Sequence, residues 1–311
     1  MGKAIREVYG EALAKYGKDD ERIVALDAAL SGSTKSAIFG KACPERFLNV
    51  GIAESNMVGM AAGLASVGKI PFLNTFTVFL TTLGLCAARA FGSYSQLPIK
   101  FAGAYGGMSD AFDGPSHHAL EDIAVMRSLA NMQVFVPCDA VQTEWLVKYA
   151  IDTPKPIYLR LSRDKFKDLY TSETEFAPGK GIVVREGTDI TVIACGLMVG
   201  NAIDAAEELA KEGISVRVVD MFSIKPIDEA LIVRCAEETG AIVSAEEHNI
   251  YGGLGSAVAE VLTKHGCGVT QGFVGVNDCH GECGPYKKLL AKYGLDANAI
   301  ANKVRETLAK K

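Results

Sequence analysis

The chain has 311 residues, of which 49% are apolar, 22% charged and 8% aromatic, and its net charge is 32 − 37 = −5. That composition suits about two soluble globular domains. With no concentrated Lys/Arg block it excludes a nucleic-acid partner. No run of 18 apolar residues suggests a membrane span, and the charged N-terminus, MGKAIREVYGEALAKYG, has no signal-peptide core. A cytoplasmic protein is expected.

In chain order, a helix at about 2–16 leads to a strand at Arg22–Leu26. A strand at Arg46–Val50 feeds a helix at Glu54–Ser66. Ile70–Leu73 reads as a strand and Phe76–Phe91 as a helix. Strands follow at Ile99–Ala104, Gln133–Val136 and Ile157–Leu161. This alternation predicts an α/β fold with a mostly parallel sheet. Residues 164–186 are polar, carry Pro178, Gly179 and Gly181, and read as a linker. A second, smaller α/β unit follows, with strands at Ile190–Ala194, Ser215–Asp220, Ile242–Ala245 and Gly272–Val276. Its helices are predicted at 198–212, 227–239, 254–265 and 295–309, the third opening at the Gly252–Gly255 turn. The expected division is 1–165, a linker at 166–186, and 187–311.

Ligands of such sheets gather at the carboxyl ends of strands. Asp27, Ser31, Glu54, Phe76, Asp113, His117 and Arg163 all fall there. Glu54 opens a helix, where an acid ordinarily acts as a cap or meets the helix dipole. The apolar sequence around it predicts a helix buried on most sides, and a buried carboxylate needs a specific partner. Phe76 and Phe79, three apart, share one helical face, as core or as a platform for a flat heterocycle. The Gly114-Pro115 turn places Asp113 and His117 on a loop, and the adjacent His118 should point elsewhere. Arg163 ends a strand, as a surface ion pair or as a reader of phosphate. The eight cysteines are scattered and read as reduced, buried thiols, several of them in apolar stretches such as Leu85-Cys86-Ala87. Only Asp278-Cys279-His280-Gly281-Glu282-Cys283 resembles a metal site, with too few ligands for structural zinc, and no metal ligands are assigned.

Taken in order, these segments resemble transketolase over nearly the whole chain. The likeness is carried by Ala4-Ile5-Arg6-Glu7, Leu26-Asp27, Gly51-Ile52-Ala53-Glu54, Asn74-Thr75-Phe76 and Asp113-Gly114-Pro115-Ser116-His117. It continues through Met126–Met132, Leu161-Ser162-Arg163, Val243–His248 and Gly252–Ala257. The resemblance implies a pyrimidine-binding domain followed by the family's C-terminal domain. The family's diphosphate-binding domain carries Gly-Asp-Gly, a tripeptide absent here. The chain is therefore identified as similar to the C-terminal subunit of a split transketolase. That implies an N-terminal partner subunit holding the diphosphate of thiamine diphosphate and its Mg2+, in a heterotetramer that transfers a two-carbon ketol unit between sugar phosphates. By the same resemblance Glu54 would bond the aminopyrimidine ring nitrogen, Phe76 and Phe79 would pack on that ring, and Asp27 would line the cofactor site. Asp113 and His117 would contact substrate hydroxyls, and Arg6, Ser31 and Arg163 the sugar phosphate. Thr82 stands where the family often has Tyr, and Tyr105 where a substrate-binding His is expected, so the substrate sugar departs from the usual pentose phosphates. Competing readings are a deoxyxylulose phosphate synthase-like half, the beta subunit of a 2-oxoacid dehydrogenase, and a non-catalytic scaffold or regulatory subunit.

Overall fold

A computed structural model describes residues 2–311. Its first sheet uses β1 (Ile23–Asp27), β2 (Phe47–Asn49), β3 (Ile70–Phe76), β4 (Lys100–Ala104), β5 (Gln133–Phe135) and β6 (Ile157–Leu161). The second sheet uses β7 (Ile182–Arg185), β8 (Ile190–Ala194), β9 (Val216–Asp220), β11 (Ala241–Asn249) and β12 (Thr270–Val276). The short β10 (Ser223–Lys225) leaves its neighbours in sequence and adds antiparallel to β5. The sheet orders are β10-β5-β6-β4-β3-β1-β2 and β12-β11-β8-β9-β7. All pairings are parallel except those of β10 and β7.

Every residue of β1, β3, β4 and β6 is buried, because helices cover both faces of the first sheet. Alternation along β3 sends Phe72 toward Tyr9 and Leu13 of the helix Ile5–Asp19, and Leu73 toward Met57 and Val58 of the helix Glu54–Ser66. In the second sheet, Val192 packs under the helices Leu197–Ala210 and Ala297–Leu308, and Ile193 under Glu229–Thr239 and Leu254–Lys264. One core runs through both units, since Val134 and Val136 of the first meet Ile193, Val219 and Ile224.

Four expectations are corrected. The polar stretch expected as a linker to residue 186 ends in β7, whose residues pair with β9. The helix expected over Phe76–Phe91 begins at Thr77, breaks after Thr82, and closes in a wide π-turn at Ala88–Tyr94. The helix at Glu54 is buried on one side only, with Ser55, Asn56, Met60 and Gly63 facing outward. Cys86, Cys279 and Cys283 are exposed, whereas Cys43, Cys138, Cys195 and Cys235 are buried. No helix among the described residues is long and apolar enough to cross a membrane.

The two units are fastened through Arg160, which points out of the middle of β6 with no exposure to speak of. Its Nε and a terminal nitrogen bond both oxygens of Asp122 at 2.7 and 3.2 Å. The same guanidinium reaches the carbonyls of Ala119 (3.2 Å) and Glu247 (2.8 Å), the latter in the second unit. Tyr158 donates a further bond to Asp122 at 2.6 Å. A buried pair broken on one side leaves the other charge uncompensated. Asp122→Ala is accordingly expected to cost about 3–5 kcal/mol of stability by denaturant unfolding, and a loss below about 1 kcal/mol would show that Arg160 finds another partner.

Candidate active site

The carboxyl ends of β1, β3, β4 and β6 open on one cleft. Glu54 begins its helix there with only 3% of its surface exposed. Thr75, the penultimate residue of β3, donates to Glu54 Oε1 at 3.1 Å. Among the described residues nothing bonds Oε2, so the carboxylate keeps one oxygen for a ligand.

Next to Thr75, Phe76 ends β3. Its ring stacks on Phe79 at 5.9 Å between centroids and 19° between planes. The two rings share no helix face as the spacing suggested, since Phe76 is strand; the strand-to-helix corner brings them together. Tyr105 lies against Phe76 at 4.3 Å. His117 stands edge-on to Phe79 and Phe76, at 5.3 and 6.0 Å. A carboxylate with one free oxygen beside an aromatic wall can hold a flat heterocycle and the proton on its ring nitrogen.

Beyond the wall lies a cationic corner. Arg6 donates to the carbonyl of Ser33 at 2.6 Å and to the Tyr105 hydroxyl, and its guanidinium sits 4.8 Å from the Tyr105 ring centre. Its Nε is buried without a partner. Ser31, half-buried, starts the one-turn helix whose Ser33 receives Arg6. The guanidinium of Arg163 stands 5.3 Å from the centre of the same tyrosine ring. It bonds Asp110 at 3.0 Å. Asp110 is fully buried, and burial, with Asp113 beside it, pushes its carboxyl up to about 6. Tyr105 itself takes φ +63°, a left-handed conformation a tyrosine rarely adopts, and that twist turns the chain out of β4 into the loop.

Asp27, expected to line the cofactor site, is fully buried and both its oxygens are engaged. One accepts from the Leu30 amide at 2.6 Å, the other from Thr34 and Ser36 at 2.8 and 2.7 Å. It ties down the turn that carries Ser31 and Ser33.

The loop with Asp110, Asp113 and His117 is held from outside its own domain. Gly107 and Ala119 close its neck with two backbone bonds of 3.1 and 2.9 Å. There Glu247 Oε1 accepts from the Met108 amide at 2.7 Å and from Tyr286 at 3.0 Å. A Cβ on Gly107 would fall 2.2 Å from the Glu247 carboxyl carbon, so only glycine fits. Burial pushes Glu247 up to about 7, against the pull of Arg160. At the tip, Gly284 donates to the Ala111 carbonyl at 3.0 Å. Gly281 packs on the buried His118, and the Cys283 sulfur on Gly114. Asp110, Glu247 and Tyr286 escaped the sequence reading. Asp110 sits in a glycine-rich loop like any turn-forming acid, and Glu247 acts across 139 positions; the adjoining pair Glu246-Glu247 in an apolar strand was the available signal. The cysteines of the 278–283 segment gather no metal set: among the described residues no three His, Cys, Asp or Glu side chains are placed to bind one ion.

Residues 1–168 match the family model for the transketolase pyrimidine-binding domain, and 179–300 that for the transketolase C-terminal domain. The chain is 41% identical over 310 residues to a putative transketolase C-terminal section of Methanocaldococcus jannaschii, covering 99% of this chain and 97% of that one. It is 39% identical to a 6-deoxy-6-sulfo-D-fructose transketolase subunit of a Clostridium species, covering 99% and 95%. Against human transketolase it is 39% identical but spans 49% of that protein's length. A solved structure described as a split gene transketolase, inactive beta4 tetramer, superposes with a TM-score of 0.90 at 48% identity, covering 99% of both chains.

If Asp27 anchors the turn, Asp27→Ala should lower stability by about 2–4 kcal/mol, with Asp27→Asn costing less because an amide oxygen still accepts. Equal unfolding midpoints for wild type and Asp27→Ala would reject that role.

Proposed function

The chain belongs to the transketolase family, and from that membership we propose that it is the C-terminal subunit of a two-chain transketolase. It contributes the pyrimidine half of a thiamine diphosphate site and the substrate cleft, and works only with an N-terminal subunit that holds the diphosphate and its Mg2+. We keep 1–165 and 187–311 as its two working domains, with 166–186 between them contributing β7 to the second sheet, cytoplasmic location as its setting, and a heterotetramer with two sites as its assembly. The observation that carries the reading is a half-built site: the free oxygen of Glu54 beside the stacked Phe76 and Phe79, with Ile52 86% exposed just before Glu54, Leu83 58% just after the helix of Phe79, and Phe112 68% on the loop of Asp113. Large uncovered apolar residues around a site are what a partner chain would bury.

The residues fit an aminopyrimidine and fit neither a diphosphate nor a metal. Thiamine diphosphate, when bound, supplies an acidic carbon and an electron sink. Glu54 holds a proton at the ring nitrogen through the oxygen that Thr75 leaves free, and Phe76 and Phe79 exclude water from the ring face. Asp113 and His117 meet the substrate's hydroxyls. Arg6, Ser31 and Arg163 receive its anionic end, binding remote from the reacting carbon. The reaction is transfer of a two-carbon ketol unit from a ketose to an aldose bearing such an end. Sugar phosphates are the general class. The sulfo-sugar named for the Clostridium relative, together with Tyr105 and Thr82 here, supports a departure from ordinary pentose phosphates. A scaffold reading accounts for neither the free Glu54 oxygen nor the paired arginines.

The isolated chain with thiamine diphosphate, Mg2+, xylulose 5-phosphate and ribose 5-phosphate should show no turnover. Activity should appear on adding an N-terminal transketolase subunit that carries Gly-Asp-Gly. Turnover by the single purified chain would sink the two-chain reading. In the reconstituted enzyme, Glu54→Gln should lower kcat by about 10²–10⁴-fold, because an amide cannot take the proton; near-normal rates would remove Glu54 from its role.

A further inference from the structure

The cationic corner carries its own counter-ion. Arg6 and Arg163 converge on one tyrosine ring, at 4.8 and 5.3 Å, a geometry that collects negative charge. Yet Arg163 is already met by Asp110, whose Oδ1 takes a guanidinium nitrogen at 3.0 Å. Asp110 is fully buried, and its Oδ2 has no partner at all. A carboxylate serving only structure would have both oxygens satisfied, as Asp27 does. Counting formal charges, two guanidiniums face the two carboxylates of Asp110 and Asp113.

We infer that Asp110 is a specificity-determining residue: as a fixed counter-ion on Arg163 it makes the cleft favour a substrate whose end carries one negative charge, such as a sulfonate, over one carrying two, such as a phosphate monoester. The inference rests on reading this cleft as the sugar-anion site. The physics is direct. Repulsion from a fixed carboxylate grows with the charge of the incoming group, while both tetrahedral anions offer three oxygens of similar reach to the arginines. Rejection by a built-in like charge is a recurrent means of discrimination.

The charged and titratable groups around Asp110 are Asp113 and His117 on its own loop, with His118 turned inward, and Arg163 after β6. The second domain, packed on the loop, presents the Cys283 thiol, Glu282 paired with Lys292, and Glu247, whose carboxyl holds the Met108 amide and is itself raised by burial to about 7. Because the Asp110 carboxyl is held up near 6, acidification protonates it and releases Arg163 to the ligand. A sulfonate keeps its single charge throughout, so its affinity should rise as pH falls through that value.

The test compares 6-deoxy-6-sulfo-D-fructose with fructose 6-phosphate by calorimetric titration of the chain assembled with its N-terminal subunit, wild type and Asp110→Asn. Wild type should prefer the sulfo-sugar by about fivefold or more at neutral pH, and Asp110→Asn should abolish or invert that preference, one removed charge being worth roughly a tenfold change. A second measurement does not depend on the variant's folding: wild-type affinity for the sulfo-sugar should tighten about threefold or more between roughly pH 7.5 and 5.5, as a carboxyl titrating near 6 requires. Where the variant folds, its profile should be flatter by that amount, which separates Asp110 from His117. Binding with the same preference and the same pH profile in both proteins would overturn the role of Asp110 and leave the cleft assignment standing. Failure of both sugars to bind the assembled wild type and variant would overturn the cleft assignment, and the proposal with it.

Discussion

The guanidinium of Arg160 is the point on which the site depends. It is buried in the middle of a strand, where an unpaired charge would be intolerable, and it is satisfied only by groups from three places at once. Asp122 at the head of a helix, the Ala119 carbonyl at the neck of the substrate loop, and the Glu247 carbonyl of the second domain all answer to it. The loop bearing Asp110, Asp113 and His117 is therefore fixed at its root by an ion pair outside the cleft. Glu247 then turns its side chain to the Met108 amide and completes the fastening. Active-site geometry in the first domain is thus partly the work of the second, whose Gly281–Gly284 segment also covers the loop's tip.

Much of this was legible in the sequence where local pattern and burial agree. The strands β1, β3, β4, β6, β8 and β9 are runs of apolar residues, and helices on both sides make them so. Glu54 stood out because an acid between two apolar stretches has few innocent explanations. The misreadings have physical causes. Ile182–Arg185 is short and follows Pro178, Gly179 and Gly181, so turn chemistry hid a strand that exists only because β9 offers it an edge. The bonds that make Asp27 an anchor were not legible either, because its Thr34 and Ser36 partners lie seven and nine residues on, across a turn. Glu247 and Tyr286 act on the loop from across the chain, and one sequence carries no sign of such pairings. The Glu54 helix was read as buried because its inner-face residues Met57, Val58, Ala61, Ala62 and Ala65 dominate the run, although Ser55, Asn56 and Gly63 face outward.

Two kinds of carboxylate emerge from the comparison of Asp27 with Asp110. Each is fully buried and each lies at the sheet's carboxyl edge. Asp27 accepts three bonds and has nothing left to offer. Asp110 accepts one and keeps an oxygen idle beside two arginines. Residue type, burial and position in the fold are the same; the difference lies in what is left unsatisfied. In a cleft built to gather charge, that remainder carries the chemical information.

The excursion of β10 has a consequence for how the molecule is made. Residues 223–225 complete the edge of a sheet whose other strands all lie before residue 162, pairing with β5 some 90 positions upstream. On a ribosome the chain emerges from its N-terminus, so the first sheet can assemble its parallel strands early but waits with an open border until about the first third of the second domain has been synthesised. During that interval Gln133–Phe135 presents unpaired backbone, the kind of border along which nascent proteins join one another. The crossing strand thus makes maturation of the first domain depend on delivery of the second, and gives molecular chaperones a defined stretch of chain to shield.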